Sequence, residues 1–497
     1  MASASEPTDG AQMADDLTVG LWRLAVLPDW LKAALQADEV ASELRHSVPE
    51  FASGELTLRG CKVRRLVLNG SSRRWVGDYT ITVVEPRSGQ HRVVVLRGTL
   101  TAPRMAQPGR VEPQATSSAF GSPGWRWELP ALGLVLETQP PDTALPALPQ
   151  LTDPEQARAL LEQSIGAGMP AYRDLQIQRC TPEVLSYKPG SRCIIRYHLE
   201  YPPDLTAGRN WPGTVIAKTY RKDSKARNAY EGMLALWHSP LAAGDVVTIA
   251  EPLAYVSELK LLVQRSIPEE RTLEDLLRSA LRAGTPEALD ELYTCVRQAA
   301  AGLVALHHSG ACHGETIVLE DQWEEIRELV ERLAVPVPEL AGVVAPLLAR
   351  LEAFAAAHPA GPPVPTHGTF GPEQVLIHRG TIGFIDFDDF CMAEPALDVG
   401  RFCAAIKDTG MSLGDERFFA HREARLARLA QLDAICEVFI AHYAAGAPIA
   451  RERVALWQAR DLLRDSLHYW IKAKPAEPDT PMLTLEQLLR SMGLHGN

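Results

Sequence analysis

The sequence predicts an α+β chain in three parts: a β-rich N-terminal domain, a small β-rich lobe and a large helical lobe. Three observations carry this. From Asp174 to Ser266 runs such as RCIIRYHLE, TVIAKTY and KLLVQRS are rich in β-branched and aromatic residues, the composition of strands. After Pro268 apolar residues recur at intervals of three and four, the period of a buried helix face. Within that helical stretch sits a short β-like insert, VLIH–RG–TIGFID, which ends on carboxylates.

The boundaries follow from composition. Residues 1–16, MASASEPTDGAQMADD, read as a polar, acidic, disordered tail. They lack a basic segment followed by an apolar one, so they are not a signal peptide. The N-terminal β-rich domain is expected over 17–150, with linker-like stretches at 103–124 and 139–154. The small lobe spans 151–266, interrupted by one helix near 224–238. The large lobe spans 267–497. Its first long helix opens at Thr285-Pro286-Glu287, an N-cap, a first-turn proline and a first-turn acid. Leu289, Leu292, Val296, Ala299, Leu303 and Leu306 then form one apolar face. Trp323, Ile326, Leu329, Val330 and Leu333 form another, and the acids of EEIRELVER are its solvated side. Helical patterns resume over 416–446 and 450–473.

Bulk properties narrow the function. Of 497 residues 46% are hydrophobic, enough for sizeable cores. Lys and Arg total 50 against 62 Asp and Glu, a net charge of -12, which disfavours a nucleic-acid surface. The eight cysteines (Cys61, Cys180, Cys193, Cys295, Cys312, Cys391, Cys403, Cys436) include no C-x-x-C pair. They read as free thiols of a reducing compartment. No run of about 18 apolar residues is present, so no membrane span is expected. The expected location is cytoplasmic.

Phosphoryl transfer needs positioning and charge neutralisation more than covalent chemistry. It calls for a cation for the phosphates, oxygen ligands for a metal and a carboxylate to take the acceptor's proton. HGTFGPEQ (367–374), FIDF (384–387) and AEPALD (393–398) follow one another closely here. With these motifs the chain, from about residue 155 onward, resembles the aminoglycoside phosphotransferase / choline kinase-like family, which has a two-lobed protein-kinase-like fold. That family carries H-G-D-x-x-x-x-N, a strand ending I-D-F, then D-P-A-x-D. The resemblance makes 366–398 the catalytic-loop region. It implies that His367 braces the loop and that Asp386 is the main magnesium ligand. Gln374 stands at the metal-binding asparagine, and Asp398 supports the loop from the next helix. Thr369 stands where the family has its catalytic aspartate. Asp388 reads either as an extra metal ligand or as a solvated acid after a strand. Glu373 and Asp388 are the neighbouring carboxylates able to substitute for the missing base.

Lys218 ends an apolar strand run, and a buried ammonium needs a partner. The resemblance names Glu231, on the following helix, as that partner. The turn YKPGSR places Gly190 and Ser191 where a phosphate-covering loop is expected, though a plain hairpin turn has the same residues. Gln264 and Ser266 fall at the interlobe hinge by position. CHGETIVLED (312–321) also holds a His-Gly-acid triplet, but no I-D-F strand follows it, and it reads as a loop.

The front region repeats the small lobe's pattern. LTLRGCKVRRLVLNGSSRRWV (56–76) lies without gaps on LQIQRCTPEVLSYKPGSRCII (175–195), with Cys61 on Cys180. With a gap, Arg97 falls on Lys218. The pattern reads as a degenerate second copy of the small lobe or as a convergent strand meander.

Two functions follow from the resemblance. One is a phosphotransferase using ATP, or another nucleoside triphosphate, with Mg²⁺ to modify a small-molecule hydroxyl or amine. The other is a pseudokinase that binds nucleotide or a protein partner without transfer. Neither involves nucleic acid or a membrane.

Overall fold

The structure is a computed structural model describing residues 22–105, 119–138, 144–206, 208–414, 416–473 and 480–494. The acidic tail 1–16 and the linker residues 106–118 and 139–143 lie outside the described residues. The chain divides into two compact units. The first comprises residues up to 140, 320–357 and from 459 on; the second comprises 141–319 and 358–458.

In the first unit five antiparallel strands form the main sheet: β1 (Thr57–Leu68), β2 (Trp75–Val84), β3 (His91–Leu100), β4 (Arg126–Leu129) and β5 (Leu134–Thr138). Their order is β1-β2-β3-β5-β4, and the short strand Lys472–Ala473 pairs outside β1. The helix Ala37–Ser47 packs on β1. Buried indoles tie distant segments together: Trp75 Nε1 donates to the Trp470 carbonyl at 2.8 Å, and Trp470 Nε1 donates to the Leu24 carbonyl at 2.8 Å.

The second unit carries its own antiparallel sheet: β6 (Arg179–Lys188), β7 (Arg192–Glu200), β8 (Thr214–Tyr220), β9 (Pro252–Val256) and β10 (Leu261–Arg265). Its order, β6-β7-β8-β10-β9, repeats that of the front sheet strand for strand. The helix Pro154–Gly168, capped by Asp153 through the N–H groups of Glu155 and Gln156, packs on β6. Cys61 lies on β1 and Cys180 on the equivalent β6.

The pairing register corrects one alignment. At the offset of 119 residues Trp75 matches Ile194; their sheet partners are Leu100 and Lys218. Leu100, not Arg97, therefore occupies the position of Lys218. Arg97 is three residues away and so faces the other side of the pleat. The front sheet repeats the order of the small lobe without its lysine.

The helical part of the second unit is built from Leu273–Ala283, Pro286–His307, Ala396–Met411 and Arg422–Gly446, with residues 451–458 of a helix that starts at Arg451. The Thr272 hydroxyl accepts from the Asp275 N–H and closes a capping box at the first of these. Thr285 caps the second as the sequence implied. Between helices lies the hairpin of β11 (Val375–His378) and β12 (Thr381–Phe384).

The large lobe is not the continuous stretch 267–497. The helices Leu319–Ala334 and Glu339–Ala357 and the residues from 459 on group with the front sheet. Periodicity identifies a helix and its buried face; it does not say which core that face meets. Here Arg332 donates to the Leu68 carbonyl, and Arg73 donates to the Glu331 carbonyl. The helix Glu339–Ala357 is, by length and composition, long and apolar enough to cross a membrane. Its residues Leu340, Val344, Leu347 and Leu351 are buried inside the protein, as in the core helix of a folded unit.

One group in the first unit gives it an acid weakness. His468 is held down to about 3 by burial and by the charges of Lys472, Arg464, Arg332 and Arg460. Its folded pKa lies below its ordinary 6.5, so the unfolded chain binds the proton first. The resulting stability is present above about pH 6.5 and is lost as the pH falls towards 3. His468→Gln is expected to flatten this limb of a stability–pH curve measured by urea unfolding.

Candidate functional site

Lys218 sits in β8 between Ile194 of β7 and Leu262 of β10, and is 5% exposed. Burying an ammonium among such neighbours is costly unless it is paired. Two carboxylates pair it: Asp386 Oδ1 at 2.5 Å and Asp388 Oδ1 at 2.9 Å. Burial alone would lower the lysine pKa, but Asp388 and Asp386 raise it, so the charge is kept. Burial likewise pushes Asp386 up, and Lys218 more than reverses this, holding the carboxyl well below the usual carboxylate range. Arg192, at the start of β7, meets the other oxygen of Asp388 at 3.2 Å. The expected Lys218–Glu231 pair does not form. Glu231 is exposed on the helix Asp223–Trp237, beside Asp223, Arg227 and Asn228, and the post-strand acids take its place.

Asp386 follows β12 with φ 71°, in the left-handed region. That conformation costs a non-glycine residue about 1–2 kcal/mol, and strain of this kind concentrates at functional sites. The short 3₁₀ turn Phe387–Asp389 then brings Asp388 back beneath Lys218.

The loop after the strand Val364–Thr366 is fixed from behind. Asp398, 0% exposed on the helix Ala396–Met411, accepts the His367 N–H at 2.7 Å and the Gly368 N–H at 2.9 Å. His307 Nε2 meets the same carboxylate at 3.1 Å, and its Nδ1 meets the Tyr443 hydroxyl at 2.7 Å. A carboxylate only accepts, so Nε2 donates to Asp398. The His367 ring reaches the Ile385 carbonyl at 2.9 Å and packs on Phe387. Gly368 has φ 81°, and a Cβ there would lie 2.1 Å from the Asp389 carbonyl oxygen, so only glycine fits.

Thr369 follows, half-buried, and offers a hydroxyl where a carboxylate was sought. Gly371 leaves room for Glu373: a Cβ at 371 would lie 2.5 Å from Glu373 Oε2. Burial pushes the Glu373 carboxyl up. Gln374, 8% exposed, donates through Nε2 to Glu373 at 3.0 Å, while its buried Oε1 has no hydrogen-bond partner among the described residues.

Of these groups Lys218, Glu373, Gln374 and Asp386 converge on one cavity of about 220 Å³, whereas Thr369, His367, Asp388 and Asp398 are not among the residues that line it. Leu185, Ile194, Ile216, Lys218 and Gln264 of the sheet line it with Glu373, Gln374, Leu376, Ile385 and Asp386 of the loop and hairpin. Arg196, Ser266, Ile267 and Glu269 complete the lining. Gly190 and Ser191 do not line it: the Ser191 N–H is used by the Lys188 carbonyl in an ordinary hairpin turn. The sequence missed Arg192. Nothing in its spacing marks it out, since only the hairpin register brings it to Asp388. The triplet at His313 is a loop, with Glu315 accepting the Met392 N–H.

A metal at this site would be held by hard oxygens. The orphaned Gln374 Oε1 and the second oxygen of Asp386 are such ligands and suit Mg²⁺. Asp388 fits less well as a ligand, because Lys218 and Arg192 already engage both of its oxygens.

Residues 206–434 match the family model described as the phosphotransferase enzyme family. Among solved structures the chain is similar to a choline/ethanolamine kinase family protein from Mesorhizobium loti, with 15% identity, 69% of this chain and 97% of that one covered, and a TM-score of 0.43. It is also similar to the choline kinase LicA from Streptococcus pneumoniae, at 13% identity, 65% and 96% coverage and a TM-score of 0.40. A glucosamine kinase gives 15%, 62%, 93% and 0.42. No curated protein matches the chain in sequence.

Proposed function

We propose, because residues 206–434 match the family model described as the phosphotransferase enzyme family, that the protein is a Mg²⁺-dependent small-molecule kinase using ATP or a related nucleotide. The observation that carries this is the buried Lys218, clamped by Asp386 and Asp388 at the wall of a cavity that also holds an unpartnered amide oxygen. A lysine kept charged in such a place suits a phosphate. Gln374 and Asp386 would hold the magnesium, which when bound neutralises phosphate charge.

The chain's own residues do the rest. Lys218 draws the phosphates into the cavity, whose lining includes the apolar side chains of Ile216 and Leu376. Asp398 fixes the loop through two N–H groups, so Thr369 stands at a set position. In the transfer a bond forms between the acceptor oxygen or nitrogen and the terminal phosphorus. The bond from that phosphorus to the bridging oxygen breaks, and the nucleoside diphosphate leaves. The acceptor's proton must go to a base. A threonine hydroxyl cannot take it at neutral pH; Glu373, whose carboxyl burial makes more basic, is the nearby group that can. Losing a positioned base costs a reaction about 10²–10⁴-fold, so slow or specialised transfer fits this site.

Thr369 favours a second reading, a module that binds nucleotide without transfer. Thr369→Asp separates the two. In the kinase, restoring a carboxylate is expected to raise turnover, by up to about 10²-fold, in a coupled assay over hydroxyl and amine acceptors. The added negative charge near Asp386 should make the gain depend on magnesium. If nucleotide binding persists and transfer stays at background in both forms, the binding-module reading holds.

A further inference from the structure

A second cavity lies in the helical part of the second unit, and the phosphotransferase reading does not use it. Its volume is about 470 Å³, against about 220 Å³ at Lys218. His307 lines it from the end of the helix Pro286–His307, and Tyr443 from the helix Arg422–Gly446. Val364 lines it from the strand that leads into the His367 loop. Three prolines, Pro362, Pro395 and Pro448, add wall whose backbone is held by the pyrrolidine ring, so that part of the site is formed before anything binds. Among the described residues the lining holds one carboxylate, Glu394, and one guanidinium, Arg453, and these answer each other. Arg453 Nε lies 2.9 Å from Glu394 Oε2, and Trp457 Nε1 donates to Oε1 at 2.7 Å. A charged occupant would therefore find no free counter-ion, whereas a neutral apolar one would remove apolar surface from water. A carboxylate oxygen has more than one lone pair, so Glu394 can still accept one N–H or O–H from an occupant.

The same cavity touches the anchor of the loop. His307 meets the Tyr443 hydroxyl through Nδ1 at 2.7 Å and Asp398 through Nε2 at 3.1 Å. Asp398 in turn accepts the N–H groups of His367 and Gly368. Two cavity-lining rings are thus one hydrogen bond away from the carboxylate that sets the position of Thr369. We propose that this cavity is an effector site for a neutral, largely apolar small molecule carrying one N–H or O–H donor. Its occupant packs on His307 and Tyr443, holds them against Asp398 and so tightens the loop. The inference stands on the cavity and on this hydrogen-bond chain, and does not depend on nucleotide binding at Lys218.

The test is a titration of the full chain, without nucleotide, with N-phenylnaphthylamine, a neutral aromatic amine whose fluorescence rises in apolar surroundings. The wild type is expected to bind it at a saturable site. Ala450 lines the cavity from an exposed position just before the helix that starts at Arg451, where a larger side chain costs the fold little. Ala450→Trp should therefore leave the urea midpoint in place and weaken the dye at least about tenfold, while Ala450→Ser should bind like the wild type. With the dye at about ten times its Kd, the amides of His367 and Gly368 should exchange about tenfold more slowly, and those of the β6–β10 sheet should not change. A wild type that does not bind the dye, equal binding by Ala450→Trp, or unchanged exchange at His367 and Gly368 under saturation would each overturn the inference and leave the Lys218 site standing. Failure to bind ATP in a separate titration would strike the nucleotide reading and leave the effector site standing.

Discussion

Lys218→Met is expected to abolish nucleotide binding and to destabilise the second unit by about 3–5 kcal/mol. The lysine stands between two carboxylates, at 2.5 Å and 2.9 Å, in a place with little water. Without it Asp386 loses the charge that holds its carboxyl low. Asp388 keeps Arg192 as its charged partner. The cost is that of an uncompensated buried charge, which far exceeds the value of a surface ion pair. The sign with pH can be checked. Asp386 has a depressed folded pKa, so its contribution is present above the ordinary carboxylate range and is lost as the pH falls through the folded value. The penalty of Lys218→Met in urea unfolding should therefore be large at neutral pH and shrink in acid. A lysine reaching solvent from an edge strand would show a change within about 0.5 kcal/mol and no such trend.

Asp398→Ala should be comparably severe for a different reason. One carboxylate, fully enclosed, receives the N–H groups of His367 and Gly368 and the Nε2 proton of His307. Removing it leaves three buried donors without an acceptor, at about 1–3 kcal/mol each before relaxation. Transfer should fall to background, because the loop that carries Thr369 and Gln374 loses its anchor. Hydrogen exchange localises the effect: the amides of His367 and Gly368 should become fast while those of the β6–β10 sheet keep their protection. Uniform loss of protection across both sheets would mean that Asp398 serves the whole fold rather than the loop.

The geometry of the candidate site was legible in the sequence where chemistry and spacing coincide. His367, Asp386 and Asp398 stand in short motifs whose local chain path sets their placement, and Lys218 declared itself as a charge in an apolar strand. Glu231 was misplaced because pairing across a lobe depends on how a helix is turned. That rotation is set by packing around Ala226, Ala229 and Met233, not by its spacing from the lysine. Arg97 was misplaced because an alignment with a gap does not count pleats. The front sheet's strand order was legible through the ungapped repeat. The assignment of 320–357 and of the residues from 459 on was not, since an amphipathic face is compatible with any apolar core. The buried indoles of Trp75 and Trp470, 395 positions apart, carry no local signal.

Nucleotide affinity with and without magnesium, in the wild type and in Asp386→Asn, tests the proposed site most directly. Asp386→Asn keeps the shape and removes the charge shared between Lys218 and the metal. The wild type is expected to bind ATP, and to bind it at least about tenfold more tightly with magnesium. In Asp386→Asn that gain should disappear while binding without metal persists through Lys218. A wild type with no measurable ATP affinity in either condition, or a magnesium gain untouched by Asp386→Asn, would contradict the assignment of this cavity as a magnesium-nucleotide site.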